Sequence, residues 1–314
     1  MSAPAGVLPS LADDVRAGLT KPGLKELAPK YFYDARGSEL FDRITSMPEY
    51  YPTRCERSIL NRHAPEIVAG ARELVELGSG TASKTRALLY AMAGTGGLAR
   101  YVPFDVDPSV VERCSNELTE LYPGLAVHGV VGDFERDLGA IPAGEDRVVA
   151  LLGGTIGNLY PDARASFLRD IRALLGPGDR FVLGTDLVKD VAVLEAAYND
   201  AAGVTAEFNR NVLHVLNREL GADFDPNAFE HVARFDRDAS WIEMALRARG
   251  EQRVAIPAAG IELELRDGEE IRTEISTKFT LDALHRELAA AGMAIKRFYT
   301  DPEGLFGLSV GCRA

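Results

Sequence analysis

Cysteine is scarce in this 314-residue chain: Cys55, Cys114 and Cys312 are an odd number with no CxxC pair. That pattern suits a reducing cytoplasm and buried small hydrophobes. Long apolar runs are missing as well, and none approaches the ~20 residues needed to cross a bilayer. The first residues carry Asp13, Asp14 and Arg16 and lack the apolar stretch of a secretory signal. Positive charge is in deficit, with 35 Lys and Arg against 47 Asp and Glu and a formal net charge of -12. A protein that handles nucleic acid more often presents a basic face, so a polyanionic substrate is disfavoured. The five histidines, His63, His128, His214, His231 and His285, form no ligand-like cluster, and no metal is expected. These absences leave a soluble, cytoplasmic chain with no nucleic-acid or membrane partner. It is long enough to bury a large core and to divide into two lobes.

What is present is organised around Leu74-Val75-Glu76-Leu77-Gly78-Ser79-Gly80-Thr81-Ala82-Ser83-Lys84. A short apolar run ends in two glycines, and Leu88, Leu89 and Met92 follow at helical spacing: strand, tight turn, helix. Glycines there let the backbone turn sharply and approach a ligand, with a helix N-terminus behind it. The dinucleotide fingerprint wants a third glycine, and Ser83 stands where it would fall. The next apolar run, Tyr101–Phe104, ends in Asp105-Val106-Asp107. A carboxylate at the end of a second parallel strand can accept hydrogen bonds from ribose hydroxyls. Residues 126–131 read as a third strand ending in Gly132-Asp133-Phe134. An Asp followed by an aromatic there could bond an adenine amino group and cover the ring face. Any one of these carboxylates alone reads as a loop charge or helix cap; three strand ends in series point to a nucleoside. The fourth strand, residues 147–152, runs into Gly153-Gly154-Thr155-Ile156-Gly157-Asn158, where Asn158 offers two donors and an acceptor. A helix around 163–175 and a fifth strand over 181–186 complete a doubly wound α/β pattern.

The alternation stops there. Residues 188–220 are mostly helical in pattern, and after Gly221 period-two runs appear at 241–248, 261–265 and 271–279. Those three predict an antiparallel sheet inserted into the α/β domain, with Glu274, Ser276 and Lys278 on one face of its last strand. Such a stripe is ordinarily the solvated side of a sheet. At the other end of the chain, four of the ten tyrosines fall between 31 and 51, with Pro48 and Pro52 bracketing Tyr50 and Tyr51. They read either as packing or as a polar-tipped aromatic wall over a small-molecule site. A helix around 281–291 and two strands, 295–299 and 304–311, close the chain. An antiparallel hairpin finishing a parallel sheet is a feature of S-adenosylmethionine methyltransferases and disfavours a nicotinamide oxidoreductase.

The segments Leu74–Lys84, Pro103–Asp107, Gly132–Phe134, Gly154–Asn158, Gly184–Asp190, Ala202–Ala206, Phe208–Leu213 and Pro48–Arg54 resemble the histidine Nα-methyltransferase of ergothioneine biosynthesis. The likeness runs from about residue 14 to the C-terminus. It implies a Rossmann-like class I methyltransferase sheet with an antiparallel terminal hairpin, over residues 53–188 and 279–314. A second, α+β substrate-binding domain is implied over 1–52 and 189–278. S-adenosyl-L-methionine is the implied cofactor, S-adenosyl-L-homocysteine its product, and L-histidine, trimethylated to hercynine, the implied substrate of a monomer. By the same resemblance Gly78, Gly80, Lys84, Asp105, Asp133 and Phe134 bind the cofactor. Tyr50, Gly153, Asn158 and Tyr198 hold the amino acid's backbone end. Glu274 and Ser276 hydrogen-bond the imidazole, with Met244 also lining the substrate. Catalytic roles fall to Tyr33 and Asn158. A methyltransferase for another amino acid or small amine would keep the nucleoside-binding strand ends and change the 274–276 face.

Overall fold

The computed structural model describes residues 10–80, 82 and 84–314; residues 1–9, Thr81 and Ser83 lie outside it, the position of the missing third glycine among them. The described chain forms two compact units. One comprises Pro52–Val188 and Lys278–Ala314, the other the residues up to Tyr51 and Lys189–Thr277.

The first unit is built on Glu73–Leu77, a strand whose five residues are all buried. It pairs in parallel with Arg100–Asp105 on one side and Arg147–Leu151 on the other. The eight-stranded sheet continues outward through Ala126–Val127 at one edge. At the other it continues through Arg180–Asp186, Phe306–Arg313 and Met293–Thr300. Its core strands are parallel, whereas Phe306–Arg313 lies antiparallel to Arg180–Asp186 and to Met293–Thr300. Alternation along each strand feeds two apolar layers. Leu74, Val148, Ala150 and Val182 meet Ile59, Leu60, Leu88, Leu89 and Leu118 from helices Tyr51–Ile67, Arg86–Gly94 and Pro108–Leu121. Val75, Val102, Phe104 and Val149 meet Phe167, Ile171, Leu284 and Leu288 from helices Pro161–Leu174 and Leu281–Ala290. The third strand expected over 126–131 is two short pieces, Ala126–Val127 and Val130–Val131, both pairing with Arg100–Asp105.

The second unit holds a four-stranded sheet in the order Lys25–Glu26, Glu270–Thr277, Trp241–Ala248, Phe229–Asp236. Helix Val204–Leu220 buries Phe208, Asn209, Asn211, Val212 and Leu216. Two details correct the reading by periodicity. Ile261–Leu265 does not join this sheet but pairs with Gln252–Ile256 as a separate hairpin. The place beside Trp241–Ala248 is taken by Phe229–Asp236, whose buried positions include His231, a polar residue that breaks the apolar alternation. The stripe also ends sooner than its spacing implies. The strand stops at Thr277, and Lys278, fully buried in the first unit, pairs with Asp186 at 2.9 Å.

Candidate active site

In the first unit the glycine loop leaves the central strand with Gly78 at φ 71° and Gly80 at φ 48°, both in the left-handed region. A Cβ at either position would meet no atom of the described residues within 4 Å beyond its chain neighbours, and the positive φ is what calls for glycine. Gly78 and Ser79 donate their N–H groups to the Phe104 carbonyl at 2.8 and 3.1 Å, which stitches the loop to the end of the neighbouring strand. Ser79 Oγ is buried with no hydrogen-bond partner among the described residues. The carboxylate of Asp105 accepts from Gly80 N–H at 3.0 Å and from Asp107 N–H at 3.1 Å. Burial pushes that carboxyl above its ordinary value, against the pull of those amides. Asp107, two residues on, has a plainer job: it caps the helix Pro108–Leu121 through Ser109 N–H. Asp133 accepts from Glu135 N–H at 3.0 Å and pairs with Arg136 at 3.0 Å, while the Phe134 ring meets Phe167 edge-on at 5.6 Å.

The fourth strand ends in Gly153 at φ 84° and Gly154 at φ 72°, followed by a single tight turn over Thr155–Asn158. Gly153 N–H donates to both oxygens of Glu56, at 2.7 and 3.0 Å, and Glu56 also pairs with Lys84 at 3.0 Å. Gly80 and Lys84 thus sit on one loop, Asp105 is bonded to it directly, and Gly153 is joined to it through Glu56. The structure adds Glu76 beneath the loop. Its fully buried carboxylate accepts from the hydroxyls of Thr85 and Tyr101, and burial pushes it up to about 7.

In the second unit the expected substrate residues form one continuous set. The Tyr33 ring meets Phe41 at 5.6 Å, Phe41 meets Tyr50 at 6.2 Å, and Tyr50 meets Tyr198 at 6.4 Å, each edge-on. The Tyr198 hydroxyl donates to Ser276 Oγ at 2.8 Å in a buried bond. Glu274 and Met244 are directly opposed across the antiparallel pair, just past a bulge between Arg272 and Glu274. Tyr50 and Tyr198 are buried, whereas Tyr33 is 40% exposed.

Local pattern did not reveal what supports this set. Asn209 bonds His231 Nδ1 at 2.8 Å and the Ala245 carbonyl at 3.0 Å through its amide nitrogen. Its amide oxygen accepts from the Thr273 hydroxyl at 2.6 Å, and His231 Nε2 lies 2.8 Å from the Tyr198 carbonyl. Because Asn209 donates to Nδ1, the proton of a neutral His231 belongs on Nε2, where it donates to Tyr198. Protonating Nδ1 would set N–H against N–H, and burial already holds this imidazole below its ordinary value. Asn211 bonds the Phe32 carbonyl at 3.1 Å and Asp34 at 2.7 Å, anchoring the segment that leads to Tyr33. The Phe208-Asn209-Arg210-Asn211 sequence was the only signal for these contacts, and it carried no role by itself.

A parallel sheet opened by a glycine loop, with an antiparallel strand inserted next to its outer edge, defines a class I S-adenosylmethionine-dependent methyltransferase fold. Within that class the family model for histidine-specific, SAM-dependent methyltransferases matches residues 11–312, and the chain belongs to that family. It is 54% identical to a histidine N-alpha-methyltransferase of Mycolicibacterium smegmatis over 97% of this chain and 95% of that one. It is 51% identical to the protein of the same name from Mycobacterium tuberculosis, again over 97% and 95%. An ergothioneine biosynthesis protein 1 of Neurospora crassa is 33% identical over 64% of this chain and 24% of its own length.

Proposed function

We propose that the chain transfers three methyl groups from S-adenosyl-L-methionine to the α-amine of L-histidine, forming hercynine, as a step of ergothioneine biosynthesis. The family membership and the names of the relatives support the reaction. The observation that carries the choice of substrate is the buried Tyr198–Ser276 hydrogen bond beside Glu274, a polar face with the two kinds of partner an imidazole ring needs.

The first unit is the cofactor domain in this reading, and the second the substrate domain. Asp105 accepts from the ribose hydroxyls, Asp133 from the adenine amino group with Phe134 against the ring, and Lys84 pairs with the carboxylate of the methionine part. Among the described residues, the open backbone at Gly78 and Gly80 and the unpartnered Ser79 hydroxyl fit such a ligand. When bound, S-adenosyl-L-methionine supplies a sulfonium methyl already activated for transfer. The protein's share is then chiefly proximity and orientation of a neutral amine. Gly153, Asn158, Tyr50 and Tyr198 hold the amino acid's backbone groups, and Tyr33 or a water relays the amine proton. The Ser276 hydroxyl meets one ring nitrogen, while Glu274 accepts from the other ring N–H. Aromatic faces at Tyr33, Phe41 and Tyr50 suit the quaternary product through attraction of a cation to a ring face. Three unpaired cysteines suit a reducing cytoplasm as the place of action.

The test is mass spectrometry of a reaction of the protein with S-adenosyl-L-methionine and L-histidine. The expected result is successive gains of one, two and three methyl groups. Transfer to other amino acids but not histidine would refute the reading.

A further inference from the structure

Glu56 is a carboxylate that the cofactor and substrate roles leave unused, and it has no exposed surface. It lies on the helix Tyr51–Ile67, yet its two oxygens reach two other parts of the chain. Both accept from the Gly153 N–H, at 2.7 and 3.0 Å, and Oε2 lies 3.0 Å from Lys84 Nζ. The packing around it is tight. A Cβ at Gly184 would fall 2.1 Å from Glu56 Oε1, and one at Gly153 would fall 2.8 Å from Lys84 Nζ. The carboxylate and the ammonium therefore occupy space that only glycine leaves at those two positions.

A buried carboxylate is costly unless charge and hydrogen bonds compensate it, and here, among the described residues, an ammonium and a backbone amide do so. Lys84 gains as much from the arrangement. An ammonium on a flexible four-carbon stem has three donors and no preferred direction, and a bond to a fixed buried acceptor removes that freedom before any ligand arrives. We propose that Glu56 is a positioning residue: it aims Lys84 at the carboxylate of the methyl donor and pins the Gly153 backbone that leads to Asn158. This rests on the reading that Lys84 pairs with that carboxylate. One buried anion then sets the geometry of a cofactor contact and of a substrate loop together. A competing role, in which Glu56 holds Lys84 away from the ligand, predicts the opposite sign for its removal.

The test compares two ligands by calorimetry: S-adenosyl-L-homocysteine, which carries the amino-acid carboxylate, and 5′-methylthioadenosine, which lacks it. Glu56→Gln, near in shape but uncharged, should weaken S-adenosyl-L-homocysteine about tenfold or more and leave 5′-methylthioadenosine unchanged. In a Lys84→Met background the same substitution should have no further effect on S-adenosyl-L-homocysteine, because the two residues act as a unit. The KM for histidine should also rise in Glu56→Gln, through the freed Gly153 loop. If Lys84→Met leaves S-adenosyl-L-homocysteine binding unchanged, the reading of Lys84 fails and this inference with it. If Lys84→Met weakens it while Glu56→Gln does not, or tightens it, only the positioning role is overturned. Equal loss of both ligands in Glu56→Gln would likewise overturn it in favour of a general structural role. Should Glu56→Gln not fold, Glu56→Asp, which keeps the charge and withdraws it by one methylene, is held to the same two-ligand criterion.

Discussion

Replacing Glu76 by glutamine tests how the glycine loop is held from beneath. Glu76 lies within the central strand, wholly buried, and accepts from the hydroxyls of Thr85 and Tyr101. Thr85 stands at the start of the helix Arg86–Gly94, so this carboxylate ties the far end of the loop to the sheet. Among its charged neighbours Lys84 favours ionisation and Asp105 opposes it; burial outweighs both and pushes the carboxyl from 4.5 to about 7. A folded-state value above the unfolded one means that the folded chain keeps a proton the unfolded chain releases. Stability from this group is therefore fully present below about pH 4.5, falls as pH rises to about 7, and is flat beyond. A rise of roughly 2.5 units at 1.36 kcal/mol each gives about 3 kcal/mol lost across the window. Glutamine is neutral throughout, so Glu76→Gln should lack this slope. It should gain about 1–3 kcal/mol on the wild type between pH 5 and pH 8, less whatever re-pairing of the two hydroxyls costs. Urea unfolding of both proteins at several pH values between these limits measures it. His231 contributes with the opposite sign, its depressed value giving stability that is lost as pH falls below about 6.5, but it is common to both proteins and cancels in the difference. A variant that keeps the full wild-type slope, or that loses the same stability at every pH, would refute the argument.

Asp105→Ala should weaken S-adenosyl-L-methionine binding by about 1–3 kcal/mol through lost charged hydrogen bonds, and unchanged affinity by calorimetry in a folded variant would remove its ribose role. Glu274→Ala should cut kcat/KM for histidine roughly 10²-fold and narrow the preference for histidine over tryptophan, since the half-buried carboxylate no longer penalises an apolar ring set against it. Competition between the two amino acids, read by mass spectrometry, decides this; a variant with its full histidine preference would return the face to an ordinary strand surface. Lys278→Met should cost about 1.5–3 kcal/mol in thermal or chemical unfolding, because it removes a charge-assisted bond to the buried Asp186 carboxylate, and a loss near zero would contradict the pairing.

Periodicity and punctuation were enough for much of the fold. Leu74–Leu77 followed by Gly78 and Gly80 specified strand, turn and helix, because burial of a parallel strand and a positive φ each restrict residue type locally. The successive apolar runs and the closing hairpin specified the class of sheet for the same reason. Resemblance, rather than pattern, named Tyr198 and gave Glu274 and Ser276 a role. Tertiary structure alone decided the rest. Ile261–Leu265 left the sheet expected of it and Phe229–Asp236, which periodicity had not marked as a strand, took the place, because strand pairing depends on which edges meet and period two is the same in every sheet. Asp107 became a cap while Asp105 turned to the loop, although the two are identical residues two positions apart. Glu56, Glu76, Asn209 and His231 sit on elements whose sequence marks them only as polar positions within helices and strands. What each does depends on a partner distant in sequence: Gly153 for Glu56, Tyr101 for Glu76, Thr273 for Asn209 and Tyr198 for His231. A buried polar side chain takes its meaning from the group that satisfies it, and only the folded chain brings the two together.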